Sequence, residues 1–158
     1  MFQLEGIDHV ALAVRDVERS AGWYQDVLGL SRLHREVWGS FPAVVGVGTT
    51  ALALFPVASD RPDGPPGRET ICVRHVAFRV DRRNFERAQA ELRARGIELE
   101  FQDHQIAHSI YLRDPDGHQL EITTYEVCVA SSSYRLTSAA RFVAGSPRSP
   151  SCERRPRC

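Results

Sequence analysis

The chain has 158 residues, of which 42% are hydrophobic and 25% charged, and its formal net charge is zero. These values are typical of a soluble globular protein with one core, and they exclude a fibre, a coiled coil or two large independent domains. No apolar run approaches the roughly 20 residues needed to span a bilayer, and the N-terminus lacks the layout of a signal peptide. We therefore expect a cytoplasmic protein that has no membrane partner.

The charges are unevenly distributed along the chain. All 20 basic side chains are Arg, which excludes a Schiff-base lysine and a phosphate-loop lysine. Residues 128–158 carry six Arg against one acid, while residues 1–127 carry 14 Arg against 19 acids. We predict that 128–158 is a disordered basic tail after a folded domain at 1–127. The folded part has no basic stripe with interleaved aromatic residues, so we expect no nucleic-acid partner. The four cysteines are predicted to be reduced thiols.

An internal repeat organises the first 127 residues. The sequence HVALAV at 9–14 recurs as HVAFRV at 75–80, and each copy precedes a helical pattern, predicted at 17–28 and 82–95. Asp16 is the predicted N-cap of the first helix. Each half therefore begins with a strand and continues with a helix.

The segments after each helix read as strands. The predicted strands cover residues 31–37, 42–47 and 50–56 in the first half, and residues 98–103, 107–113 and 118–126 in the second. The turn Asp-Pro-Asp-Gly at 114–117 makes the last two a hairpin. Residues 58–70 are rich in Pro and Gly and form the predicted linker between modules at about 5–57 and 71–126. The sequence thus predicts an α+β fold of two fused βαβββ modules that form an incomplete barrel around a cleft.

Polar side chains are predicted to converge on one face of these sheets. Strand alternation separates His9 and His75 from the apolar residues that pack on the helices, and it does the same for Glu121 in the last strand. Two imidazoles and one carboxylate make a metal site that leaves positions for water or substrate. We therefore predict that the cleft binds one divalent metal ion through these three residues.

Three segments of the sequence stand out: GIDHVALAVRD at 6–16, WYQDVLGL at 23–30 and SIYLRDPDGHQLE at 109–121. They resemble the vicinal oxygen chelate superfamily, which includes glyoxalase I, extradiol dioxygenases, fosfomycin-resistance proteins and bleomycin-resistance proteins. The resemblance covers about residues 5–126 and implies a metal held at the three positions named above. It also implies a fourth ligand in glyoxalase I, but Ala53 stands at that position, which disfavours that activity.

The resemblance leaves three functions open. It implies an extradiol ring-cleaving dioxygenase with Fe(II), favoured because Tyr111 stands ten residues before Glu121, where that group has a substrate-binding tyrosine. His108, or alternatively His104, is then the predicted proton acceptor. A fosfomycin-type thiol transferase with Mn(II) comes next, and a non-catalytic drug-binding protein is the third reading. All three functions involve a small molecule as the binding partner. The sequence also leaves open whether the protein is a homodimer.

Overall fold

The computed structural model of the protein describes residues 1–59, 62, 64–65, 67 and 69–127. The predicted tail at 128–158 lies outside the described residues. Eight strands and three helices follow the order β1 His9–Val14, α1 Val17–Leu28, β2 Ser31–Leu33, α2 Arg35–Trp38, β3 Ala43–Val47, β4 Thr50–Pro56, β5 Val76–Arg79, α3 Arg82–Ala94, β6 Glu100–Asp103, β7 His108–Arg113 and β8 Gln119–Thr124. No helix in the described part of the chain is long and apolar enough to cross a membrane.

The two halves have the same sheet topology. One sheet has the order β1-β4-β3-β2 and the other the order β5-β8-β7-β6. In each sheet the first strand of the module pairs in parallel with the last, and the remaining pairs are antiparallel. The described strands form two open sheets and no closed barrel. The prediction of an α+β fold with two βαβββ modules in an incomplete barrel is therefore confirmed.

Local signals in the sequence account for the two long helices. The Asp16 carboxylate accepts a hydrogen bond from the Arg19 N–H and caps α1, and Gly29 ends the helix with a left-handed φ of 68°. Asp81 caps α3 in the same way. Both helices turn their apolar faces to the sheets, where one continuous core spans both modules. Its largest fully buried side chains include Tyr24, Leu52, Leu54, Ile110 and Leu120.

One predicted strand is wrong in part. The segment 31–37 was expected to be extended throughout, but β2 ends at Leu33. His34 then adopts a positive φ of 57°, which interrupts the strand ladder. The N–H groups of Val37 and Trp38 both donate to the His34 carbonyl, so the chain forms the short helix α2 instead. The β propensity of these residues was overridden by local hydrogen bonds.

The turn at 114–117 joins the two modules. Asp116 accepts hydrogen bonds from the Ser20 hydroxyl at 2.9 Å, from the Arg15 N–H at 3.1 Å and from the Arg15 guanidinium at 3.2 Å. Asp114 accepts one from the Tyr24 hydroxyl at 2.8 Å. Both carboxylates are buried, and buried charges are tolerated only when they are paired in this way. The sequence predicted a hairpin turn here. It did not predict that the turn would connect the two modules through buried polar contacts, which we call the polar joint.

These contacts shift two pKa values. Burial alone acts to raise the pKa of Asp116, but hydrogen bonds from Arg15 and Ser20 outweigh it and hold the pKa below the usual 3.8. For Tyr24, burial and then the charge of Asp114 raise the pKa far above 10.0. Tyr24 therefore remains a hydrogen-bond donor and Asp116 a charged acceptor at neutral pH.

Candidate metal centre

Strand register builds a polar surface on the second sheet. Ala77 pairs with Glu121, Glu121 pairs with Tyr111, and Tyr111 pairs with Glu100. These four residues form a row across the sheet, on the face opposite to the α3 side, because side chains at paired positions share a face. Glu121 therefore lies in the middle of the surface, beside the small side chain of Ala77.

Glu121 and His75 are brought together on this surface. The Nε2 atom of His75 lies 2.9 Å from Oε2 of Glu121, and its side chain is 37% exposed. The other carboxylate oxygen, Oε1, accepts a hydrogen bond from the buried Ser109 hydroxyl at 2.6 Å. Thr123 lies 3.0 Å from the same hydroxyl. A hydroxyl that fixes one carboxylate oxygen while the other faces an imidazole is the support that metal-binding carboxylates require.

His9 lies apart from this pair. It sits at the start of β1 in the first sheet, its side chain is 50% exposed, and its Nδ1 atom is 2.7 Å from Asp8 Oδ1. In the part of the chain that the structure describes, no three His, Cys, Asp or Glu side chains come together as a metal site. The structure thus unites two of the three predicted ligands. The donor set of His75 and Glu121 fits a divalent ion of the kind bound by imidazole and carboxylate together.

Tyr111 stands next to the pair. Its ring packs edge-on against His75 with a centroid distance of 5.7 Å. Partial burial and then the nearby charge of Glu121 raise the pKa of Tyr111, so the phenol keeps its proton. Its hydroxyl lies 3.3 Å from Nε2 of His104. The structure therefore gives this tyrosine an imidazole neighbour.

His108 lies on the other side of the sheet, which removes it from the candidate site. It shares a face with the buried residues Ile110 and Leu112, and its ring lies 6.4 Å from that of Phe85 in α3. Strand alternation already implied this placement, because residues 108 and 109 must point to opposite faces. His104, the alternative prediction, contacts the Tyr111 hydroxyl instead.

The first sheet carries the same register with different side chains. Ala53 pairs with Ala11 and Val44, just as Glu121 pairs with Ala77 and Tyr111. Ala53 is therefore the structural counterpart of Glu121, as the sequence alignment of the two halves predicted. The first module retains the histidine of the site but neither its carboxylate nor its tyrosine.

A cleft of about 1160 Å³ extends over part of the second sheet's polar surface. His75 and Tyr111 line it, together with Arg74, Arg113 and Gln119. Among the described residues of this lining, Arg74 and Arg113 are cations, and Glu98 and Glu100 are anions.

Two fused βαβββ modules with a histidine–carboxylate pair on an open sheet face define the architecture of vicinal oxygen chelate proteins. The profile of the Glyoxalase/Bleomycin resistance protein/Dioxygenase superfamily matches residues 6–122. The chain belongs to this superfamily.

Several known proteins are similar to this chain. The metallothiol transferase FosB of Staphylococcus epidermidis is 31% identical over 124 residues, which cover 77% of this chain and 84% of the relative. The glutathione transferase FosA of Serratia marcescens is 31% identical over 119 residues, covering 75% of this chain and 80% of the relative. A glyoxalase/dioxygenase structure from Nostoc punctiforme matches with a TM-score of 0.65 and 26% identity, over 77% of this chain and 91% of that one.

Proposed function

We propose that the protein is a divalent-metal-dependent transferase that adds a thiol to a small electrophile such as the epoxide of fosfomycin. The observation that carries this proposal is the His75–Glu121 pair held by Ser109 on an open polar surface. Two relatives at 31% identity, which align with three quarters of the chain, are named as thiol or glutathione transferases. They favour the transferase over the ring-cleaving dioxygenase that the sequence placed first.

The chemistry of this reaction suits the side chains of the cleft. The thiol sulfur forms a bond to an epoxide carbon, the carbon–oxygen bond breaks, and the released oxygen takes up the proton that the thiol loses. A divalent metal supplies Lewis acidity to an oxygen of the substrate when it is bound. Tyr111 is placed to donate a hydrogen bond to the substrate, and Arg74 or Arg113 provides the cation for an anionic group.

The residues that would hold the metal are His75, Glu121 and His9, with His9 contributed by a second copy of the chain. This assignment rests on the separation of His9 from the other two ligands and on its exposure at the edge strand β1. Nδ1 of His9 is occupied by its contact with the Asp8 carboxylate. Nε2 is therefore the nitrogen that would bind the metal. A symmetric dimer would then form two equivalent sites.

Mixed dimers test this shared site. His9→Ala and Glu121→Ala chains, each with a different affinity tag, are mixed and the hybrid is purified. Each variant alone is expected to bind no Mn(II). The hybrid should bind one ion, because one of its two sites receives both intact contributions. A hybrid without metal contradicts the sharing, and full metal content in His9→Ala alone contradicts the role of His9.

The dioxygenase remains the second candidate because Tyr111 contacts His75 at the position expected for that activity. Two assays on the same full-length protein separate the candidates. The Mn(II)-loaded protein is incubated with fosfomycin and a panel of thiols, and thiol consumption is measured. The protein loaded with Fe(II) under anaerobic conditions is then tested for oxygen uptake with a panel of catechols. Thiol consumption without oxygen uptake supports the transferase, and the reverse supports the dioxygenase.

A further inference from the structure

We infer that His104 is a positioning residue that holds the Tyr111 hydroxyl at the edge of the metal centre. This inference rests on the proposed function for its consequence in turnover, but the contact itself is independent of it. Nε2 of His104 lies 3.3 Å from the Tyr111 hydroxyl oxygen. Neither the sequence spacing nor the family resemblance singles out this pairing.

The backbone fixes His104 where it can serve this purpose. The His104 N–H donates to the Ala107 carbonyl at 2.9 Å, and the Ile106 N–H donates back to the His104 carbonyl at 2.8 Å. Gln105 adopts a positive φ of 67°, and its N–H is bound by the Asp103 carboxylate at 2.7 Å. These contacts close a tight turn between β6 and β7. The backbone of His104 is therefore fixed, and its ring lies beside the Tyr111 hydroxyl.

The contact has a direct consequence for the tyrosine. The ring of Tyr111 contacts His75 on one side and is only partly buried. Packing alone therefore does not fix the ring and its hydroxyl in one position. With the hydrogen on Nε2, His104 donates to the phenol oxygen, and the phenol still has its own hydrogen to donate. Without His104, the hydroxyl keeps only its neighbours on the strand side, Glu121 and Ser109, which also act on its pKa.

His108 provides a matched control for this role. It is an imidazole four residues away, but it lies on the α3 side of the sheet against Phe85. Replacing either histidine by Leu removes the same chemical group. Only the His104→Leu change removes the contact to Tyr111. His104→Gln retains an N–H donor at that position, so it should restore the contact in part.

The first measurement is the environment of Tyr111 in the absence of any substrate. Tyrosines are labelled with ¹³C at Cζ in the full chain, and the Tyr111 signal is assigned by its loss in Tyr111→Phe. This signal is expected to shift in His104→Leu, to return toward the wild-type position in His104→Gln and to stay in place in His108→Leu. An unmoved signal in His104→Leu overturns the inference, whether or not the protein proves to be a transferase.

The second measurement is turnover of the Mn(II)-loaded protein with fosfomycin and a thiol. His104→Leu is expected to lower kcat about tenfold with unchanged metal content, and His108→Leu to leave kcat within about twofold. In a Tyr111→Phe background, His104→Leu should have no further effect. A tenfold loss that persists in that background overturns the positioning role. An inactive wild type contradicts the proposed function alone and leaves the tyrosine signal to decide on the contact.

Discussion

Asp116 accepts a hydrogen bond from the hydroxyl of Ser20 at 2.9 Å, although the two residues are 96 positions apart in the sequence. The Asp116 carboxylate also accepts hydrogen bonds from Arg15. Both residues, Ser20 and Arg15, belong to the first module. Because the turn at 114–117 connects the strands that carry Tyr111 and Glu121, this joint ties the candidate metal centre to the first module.

We expect Asp116→Ala to lower the free energy of unfolding by about 2–3 kcal/mol, because it leaves the buried Ser20 hydroxyl and the Arg15 N–H without their acceptor. Urea denaturation measures the change. Asp26→Ala, at an exposed position of α1, serves as the control and should change stability by less than about 0.5 kcal/mol. Equal effects of the two substitutions would contradict the structural role of the joint.

The same carboxylate predicts a dependence of stability on pH. The folded state holds the pKa of Asp116 below 3.8, so its ionised form stabilises the fold above that pH. This contribution is lost as the pH falls through the lower, folded-state pKa. The stability difference between wild type and Asp116→Asn should therefore be constant from about pH 6 to about pH 5 and shrink toward about pH 3. A difference that stays constant over the whole range would show that Asp116 does not titrate as predicted.

Two glycines, Gly46 and Gly22, are expected to respond in opposite ways to replacement by Ala. One has no room for a side chain, and the other has room within a helix. A Cβ atom at Gly46 would lie 2.5 Å from the backbone oxygen of Thr50, so Gly46→Ala should destabilise the fold by about 1–3 kcal/mol. Gly22 lies within α1 with open space around it, and Gly22→Ala should stabilise the fold by about 0.5–1 kcal/mol. Thermal unfolding of the two variants should show shifts of opposite sign. A shift of the same sign in both would contradict the packing described for β3 and β4.

Ser109 offers a test of the metal centre that leaves every proposed ligand in place. Its hydroxyl fixes one oxygen of Glu121, so Ser109→Ala should weaken Mn(II) binding about tenfold in an isothermal titration. Ser31→Ala, at an exposed position of the first sheet, should leave the affinity unchanged. If both variants bind Mn(II) like the wild type, Ser109 does not support a metal ligand.

Most of the fold that could be predicted from the sequence was inferred from its internal repeat. The caps at Asp16 and Gly29 gave the limits of α1, and periodicity placed Glu121 and Tyr111 on one face. Local rules failed where the chain formed a contact that they do not describe. The helix after His34 depends on local backbone hydrogen bonds, and the burial of Asp116 depends on a partner almost a hundred residues away.

The candidate site was only partly accessible from the sequence. His75 and Glu121 lie together because parallel pairing of β5 with β8 follows from the repeated module. His108 and His104 were both placed near the cleft, and the structure puts His108 on the α3 side of the sheet, next to Phe85. The contact of His104 with Tyr111 depends on a tight turn whose geometry no spacing rule fixes. In the proposed dimer His9 comes from the second chain, and strand patterns within one chain do not describe that contact.

The unequal contents of the two sheets have a consequence for substitutions in the first. Ala11, Ala53 and Val44 occupy the places that correspond to Ala77, Glu121 and Tyr111 in the second module, and none of the three carries a group able to bind a metal. Substitutions at these three positions can therefore change the size of the side chains on that face of the first sheet. They leave Glu121 and Tyr111 in the second sheet unchanged. A repeat organised in this way leaves these three positions free to change while the His75–Glu121 pair stays in the other half.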